Sequence, residues 1–186
     1  MKFRLPGLAA MLVAAPAAQA VEFTQYQHGK SSLAFVYKQM NVPVDGQFKS
    51  FRARLAFDPS KPTAARAEFE IDLASVDAGS KDANDEVAGK AWFDTKAFPV
   101  ARFVATSVKP LGNNRYEVAG KMSIKGKTLD LAAPLTVTQE GNSASFDGAL
   151  VFKRADFGIG DGVWADFGTV ANEVQIKFRI VATAAK

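Results

Sequence analysis

The sequence predicts an all-β fold, an antiparallel barrel of about eight strands with a short helix or a long loop at one end. Three observations carry that expectation. Seven segments alternate apolar and polar residues at period two, the mark of a strand with one dry and one wet face. Turn signals separate the segments of the second half: Leu111-Gly112-Asn113-Asn114, Lys125-Gly126-Lys127 and Glu140-Gly141-Asn142. No stretch of useful length carries a helical period.

The first twenty residues stand apart from the barrel. Lys2 and Arg4 give a basic start, residues 5–15 are apolar but too few to span a bilayer, and Ala18-Gln19-Ala20 fits a small-residue cleavage site. Residues 1–20 are therefore expected to be a cleaved signal peptide. Residues 21–186 are expected to be one barrel domain in the periplasm. No cysteine follows the apolar run, so a lipoprotein anchor is excluded.

The elements follow in order. Residues 21–28 read as a first strand or arm, and residues 31–40 as a strand with Leu33, Phe35 and Tyr37 on one face. Residues 43–46 read as a turn because of Pro43 and Gly46. A long strand is expected over residues 48–57, ending in Asp58-Pro59-Ser60-Lys61-Pro62. Its partner is residues 66–73, where charges and apolar groups alternate most clearly. Residues 75–100 form the longest stretch without alternation. Residues 80–89 within it suit a short helix, and the aromatic residues that follow suit a segment folded over the barrel mouth. Strands are then expected around Phe103 and over residues 116–124, 129–137, 146–152 and 173–182. Residues 158–162 read as a flexible break.

Composition narrows the function. The chain has 23 basic and 19 acidic side chains; without Lys2 and Arg4 the count is 21 against 19, a net of +2. Charges that alternate in sign along a strand are a solvated face, so no nucleic-acid partner is expected. With no cysteine, stability rests on burial and hydrogen bonding. His28 is the single histidine, so no zinc site of nitrogen or sulfur ligands can form, and the acidic groups 82, 85, 86 and 156, 161, 166 lack calcium-loop spacing. No metal is expected. Asp-Phe-Gly occurs at 156–158 and again at 166–168, without the other motifs of a kinase, and reads as a chain corner. Gly158, Gly160 and Gly162 precede Val163-Trp164 rather than a Gly-Lys-Ser/Thr ending, so no phosphate loop is expected. There is no nucleophile elbow and no catalytic residue is assigned. What remains is an interior rich in phenylalanine. Small barrels of this size are either filled by side chains or hold one ligand, and the pattern alone leaves both open.

Several segments decide between them by resemblance. Phe35-Val36-Tyr37-Lys38 with Gly46-Gln47-Phe48, Ser75-Val76-Asp77, the element at 92–99 (Trp-Phe-Asp-Thr-Lys-Ala-Phe-Pro), the turn at 120–128, and Arg154-Ala155-Asp156-Phe157-Gly158 occur in this order. Together they resemble the YceI-like family of exported, lipocalin-like proteins. One element departs from the family pattern. An Arg-Asp-x-His-Leu-Arg-Ser stretch usually precedes the first aromatic element, whereas residues 83–89 here read Ala-Asn-Asp-Glu-Val-Ala-Gly, with Glu86 at the histidine position.

The resemblance implies a lipocalin-like barrel with a long apolar channel. It implies a periplasmic carrier of a long-chain amphiphilic lipid: an isoprenoid, a quinone-type lipid or a fatty-acid-type ligand. No cofactor is required. A homodimer is implied, as is transient contact with the membrane or with a membrane redox protein. On this reading Phe35, Phe51, Phe57, Phe69, Ile71, Phe103, Phe152 and Phe178 line the channel. Trp92, Phe93, Phe98 and Trp164 lie near its mouth. Two rivals stand beside the carrier. One is a filled barrel that acts as a stress-response or interaction module. The other is an enzyme acting on a bound lipid.

Overall fold

The computed structural model describes residues 21–185, so the leader expected in residues 1–20 lies outside the described part. Among the described residues eleven strands form one antiparallel sheet. They are β1 (Phe23–Tyr26), β2 (Ser32–Gln39), β3 (Val42–Phe48), β4 (Phe51–Ala56), β5 (Arg66–Asp72), β6 (Val76–Asp77), β7 (Val100–Gly112), β8 (Arg115–Ile124), β9 (Lys127–Glu140), β10 (Ser143–Lys153) and β11 (Glu173–Ala184). One α-helix among the described residues, α1 (Lys81–Ala88), sits in the long connection between β6 and β7.

Three pairs of short strands act as single staves. β1 and β2 lie end to end along β11, with Tyr26 opposite Ala182 and Ser32 opposite Arg179. β3 runs into β4 through Lys49-Ser50, and β5 runs into β6 through a 3₁₀ turn, Leu73–Ser75. The ladder continues across that bend. The Asp72 N–H donates to the Ser50 carbonyl at 3.1 Å and the Lys49 N–H to the Ser75 carbonyl at 3.1 Å, after which Phe48 pairs with Val76. Eleven strands thus reduce to eight staves. The curled sheet closes because β2 pairs with both β11 and β3, while β4 pairs with β5. Closure leaves little free edge to recruit another chain.

Alternation decides which side chains enter. In β4, Phe51 and Ala53 are buried while Arg52 and Arg54 are exposed. Three of the inward phenylalanines lie flat on the wall because a neighbouring strand offers glycine. A methyl group added at Gly46 would stand 2.3 Å from the Phe35 ring; at Gly120, 2.5 Å from Phe103; at Gly148, 2.4 Å from Phe178. Without a Cβ beneath it, each ring packs against backbone instead of projecting across the lumen.

One end of the barrel is closed by aromatic packing. Phe57 meets Tyr116 and Phe146 edge-to-face, with centroids 5.4 and 5.2 Å apart. β1 covers this end. Phe23 is fully buried and exchanges backbone hydrogen bonds with Phe57 at 2.9 and 3.1 Å, tying the arm on β11 to the end of β4.

Three local expectations are corrected. The turn expected at residues 43–46 lies at Met40-Asn41, with φ of 48° and 65°. A two-residue hairpin loop that matches strand twist needs positive φ at both positions, and that requirement outweighed the turn signal of Pro43 and Gly46. Both of those residues lie inside β3, with Pro43 near its start, where a strand tolerates a missing N–H. The single strand expected over 48–57 is broken at Lys49-Ser50, and Phe48 belongs to β3. The flexible break expected at 158–162 is instead a packed segment in which Ile159 and Gly160 are buried.

Removing the ring that seals the closed end should show how much that end contributes. Phe23→Ala is expected to lower unfolding free energy by about 3–5 kcal/mol, read from urea denaturation midpoints at unchanged slope.

Candidate functional site

The interior is a lumen in two compartments. The larger holds about 480 Å³ and lies toward α1. The smaller holds about 120 Å³ and lies toward the aromatic floor. Leu33, Ile71, Met122, Leu150 and Ile176 line both and form a collar between them. The larger volume is in the range of small-molecule sites. Arg66 and Tyr116 are the polar residues of the smaller compartment's wall; the rest of that wall is apolar. An apolar void of about this size stays dry and readily takes up hydrocarbon.

The residues singled out from sequence distribute as follows. Phe35 and Phe152 line the large compartment; Phe51, Phe57, Phe69, Phe103 and Phe178 line the small one; Ile71 belongs to the collar. Trp92, Phe93 and Trp164 line the large compartment, with Trp92 buried rather than at a rim. Phe98 lies outside both, its ring packed over Gly126. The sequence reading gave a lining role to Ile71 alone among the five collar residues; it placed Leu33 and Tyr37 on one strand face and Arg154 in a family-like motif, but assigned no site role to them or to Met122, Leu150, Ile176, Leu73 and Val87. Met122, Leu150 and Ile176 sit on alternating strands at inward positions, so the period-two signal marked them as well as it marked the phenylalanines. Arg154 carried no such signal, because a cation in a strand-end motif ordinarily reads as solvated.

The open end is framed by two segments. The first begins with α1. Ser80 Oγ caps it by accepting from the Ala83 N–H at 3.2 Å, and Asn84 Oδ1 anchors it by accepting from the Ala78 N–H at 2.6 Å. Ala83 and Val87 are half-buried on its cavity side. The chain after α1 folds back so that the Phe93 and Thr95 N–H groups, each at 3.0 Å, satisfy the carbonyls of Val87 and Ala88. The second segment, residues 154–170, is stitched to the first. The Gly160 and Asp161 N–H groups donate to the Ala91 carbonyl at 2.8 and 2.9 Å. Lys125 Nζ bridges the Lys90 and Gly158 carbonyls at 2.8 and 2.9 Å. Trp164 Nε1 donates to Glu86 Oε1 at 2.7 Å.

Arg154 holds the second segment together. It is 1% exposed, and among the described residues no carboxylate pairs with it. Its Nε donates to the Ala171 carbonyl at 3.1 Å, Nη1 to those of Ile159 and Gly160 at 2.8 Å each, and Nη2 to those of Trp164 and Val170 at 2.6 and 2.8 Å. Those bonds use the five-donor fork of a guanidinium. Its plane also faces the rings of Trp92 and Phe167, 5.2 and 5.3 Å from their centroids. Burial pulls its pKa below the ordinary arginine value, but a guanidinium keeps its charge at neutral pH. Gly160, at φ +76°, must be glycine, since a Cβ there would stand 2.0 Å from Arg154 Nη1.

Comparison with known proteins agrees with this geometry. The model of the YceI-like domain matches residues 25–182. The chain belongs to the YceI-like family. It is 30% identical over 154 residues to a UPF0312 protein of Pseudomonas fluorescens, covering 77% of this chain and 76% of that one. Among solved structures it resembles BcnA of Burkholderia cenocepacia, with 49% identity and a TM-score of 0.83 over 86% of this chain and 100% of that one. A polyisoprenoid-binding domain from Saccharophagus degradans shares the fold at a TM-score of 0.68 and 17% identity, covering 90% of this chain and 100% of that one. The lipocalin-like fold and the family expected from the sequence are both established. The departure at residues 83–89 maps to α1, on the rim of the large compartment.

Two predictions follow from the frame. Arg154→Lys keeps the charge but leaves at most three donors for five buried carbonyls; it is expected to cost about 3 kcal/mol or more in chemical denaturation. The second concerns acid. Asp166 accepts from the Gly168 N–H at 2.9 Å and from Thr169 Oγ1 at 3.1 Å, which holds its carboxyl below the usual carboxylate range. A depressed folded value means the turn is supported above the usual range and released as pH falls through the depressed one. The protection factor of the Gly168 amide, its exchange rate referred to the intrinsic rate at each pH, should therefore fall selectively below the usual carboxylate range and stay flat from there to neutrality.

Proposed function

We propose that this protein is a periplasmic carrier that holds a long-chain amphiphile, an isoprenoid or quinone-type lipid, inside the barrel. The observation that carries the reading is the lumen: a roomy compartment with polar groups at its open end, joined through an apolar collar to a nearly all-apolar blind pocket. That gradient matches a molecule with a polar head and an insoluble tail. Burying about ten methylene equivalents is worth roughly 8 kcal/mol before entropic costs. Rigid aromatic walls supply contact area with few rotamers to freeze. A filled-core interaction module does not fit an interior of about 480 Å³. Binding without turnover is the simplest use of such a site, since its lining is a wall of hydrocarbon rather than a nucleophile and base. The printed description of the Saccharophagus degradans domain as polyisoprenoid-binding supports the same reading.

Exchange with a membrane fits the rim. Met40 and Val163, 75% and 85% exposed, flank the open end with Phe167. An apolar lip of this kind would let a tail pass from bilayer to barrel without crossing water.

The test is a thermal-shift series with prenyl alcohols of increasing length, alongside mass spectrometry of lipid extracted from protein purified from its own host. Saturating ligand at about 100 times its Kd should stabilise the fold by about 2.7 kcal/mol. Leu150→Phe, which narrows the collar, should weaken long chains more than short ones. No stabilisation at any length, together with no co-purified amphiphile, would reject the carrier.

A further inference from the structure

We infer that the wall of the large compartment opens sideways along a seam between β9 and β10, and that the lipid tail enters and leaves through it. The inference rests on the carrier reading and adds the path of the cargo.

The seam is a place where two adjacent staves stop pairing. β10 pairs with β11 along its whole length, from Ser143 to Lys153, and β9 pairs with β8 from Lys127 onward. Between β9 and β10 the ladder runs only from the hairpin turn to Gly148 opposite Leu135. Past that pair, among the described residues, no backbone hydrogen bond joins residues 127–134 to residues 149–153. Pro134 stands at the break, where it has no N–H to carry the ladder on.

The seam leads to the lumen. Leu150 and Phe152 of β10 line the large compartment. Across the seam, Leu129 and Leu131 lie opposite Met122 and Gly120 and share their inward face. They line neither compartment, yet they are only half-buried. The inner lips of the seam are therefore hydrocarbon on both sides, from the collar at Leu150 toward the rim. They suit a tail, and they lengthen the mouth into a slot down the wall.

One turn plugs the slot. Phe157, 1% exposed, meets Phe152 edge-to-face with centroids 5.4 Å apart, in the cluster against which Leu129 and Leu131 pack. Gly158 then reaches the start of β9, where a Cβ would stand 3.3 Å from Lys127 Nζ. The two ends of this turn are held unequally. At β10, the Arg154 side chain is fixed by five carbonyls and its N–H donates to the Asn172 carbonyl at 2.8 Å. On the β9 side the hold is one side chain, Lys125 Nζ on the Gly158 carbonyl at 2.9 Å. Releasing Lys125 and withdrawing Phe157 parts β9 from β10 without breaking a strand pair. Parting β8 from β9, or β10 from β11, costs a ladder of hydrogen bonds.

The chain has no cysteine, so a pair can be added cleanly. Continuing the register past Gly148 places Ala132 opposite Val151, both exposed on the outer face. Ala132→Cys with Val151→Cys, joined by a short bismaleimide and checked by intact mass, ties the seam shut. Ser123→Cys with Thr128→Cys, joined the same way, ties the intact β8–β9 ladder as a control; those hydroxyls are 2.7 Å apart. Each protein is loaded with dansyl-labelled geranylgeraniol, and its release into phosphatidylcholine vesicles is timed. The seam bridge should slow release at least about tenfold at unchanged affinity, since a shut door slows entry and exit alike. The control should release within about twofold of the parent protein. Lys125→Met, which unlatches the turn, should release several-fold faster. Release from the seam-bridged protein within about twofold of the parent overturns the inference while leaving a carrier. So does an equal slowing in the control, or a Lys125→Met rate equal to the parent's. If the probe does not bind the parent protein, the carrier reading fails and this one with it.

Discussion

Arg154 buries a charge with no counter-ion among the described residues, and physics permits that only if every donor is met. The carbonyls of Ala171, Ile159, Gly160, Trp164 and Val170 meet them. These carbonyls come from a segment with no strand partner along most of its length, which would otherwise have buried acceptors to satisfy. One side chain therefore does for residues 154–171 what a ladder does for a strand. The rest of the open end hangs on this arrangement. Ala91, Trp92 and Glu86 are each bonded to or packed against the segment Arg154 holds, so α1 stays at the rim instead of collapsing into the lumen.

The lumen survives for a second reason. A barrel of eight staves is narrow enough for large side chains to fill it. Here three phenylalanines lie over Gly46, Gly120 and Gly148 and cover the wall rather than the centre. The aromatic content that suggests a dense core thus produces a lined cavity. At the far end the logic reverses: Phe57, Tyr116 and Phe146 meet edge-to-face and close the barrel. The same residue type makes wall or plug according to whether the neighbouring strand offers a glycine or another ring.

The two ends differ in the way the proposed carrier role requires. The closed end is apolar and sealed by an arm whose Phe23 is wholly buried. The open end carries the polar groups, and it is where the chain departs from its family, at residues 83–89. The rim also has fewer backbone constraints than the staves, which makes it the easier part to vary.

Alternation by itself determined the barrel, its approximate stave count and most of the inward faces, because period two is a local property that survives in any antiparallel sheet. It marked Phe35, Phe69, Phe103 and Phe178 correctly as inward, and the unpatterned stretch before β7 as the place for a helix. It did not determine which inward residues enclose space. That depended on glycines one strand away, on a closure made at Lys49-Ser50, and on the hairpin at Met40-Asn41, where the twist of paired strands overrode the turn signals of Pro43 and Gly46. Nor did it distinguish Arg154 from a surface cation, or Phe98 from its aromatic neighbours. Arg154 is buried because the irregular segment after it folds back over its guanidinium, and Phe98 packs over Gly126 on a hairpin distant in sequence; neither follows from a local period. Only the tertiary structure, by folding residues 159–171 so that five of their carbonyls surround one guanidinium, decided that Arg154 is buried and holds the open end in place.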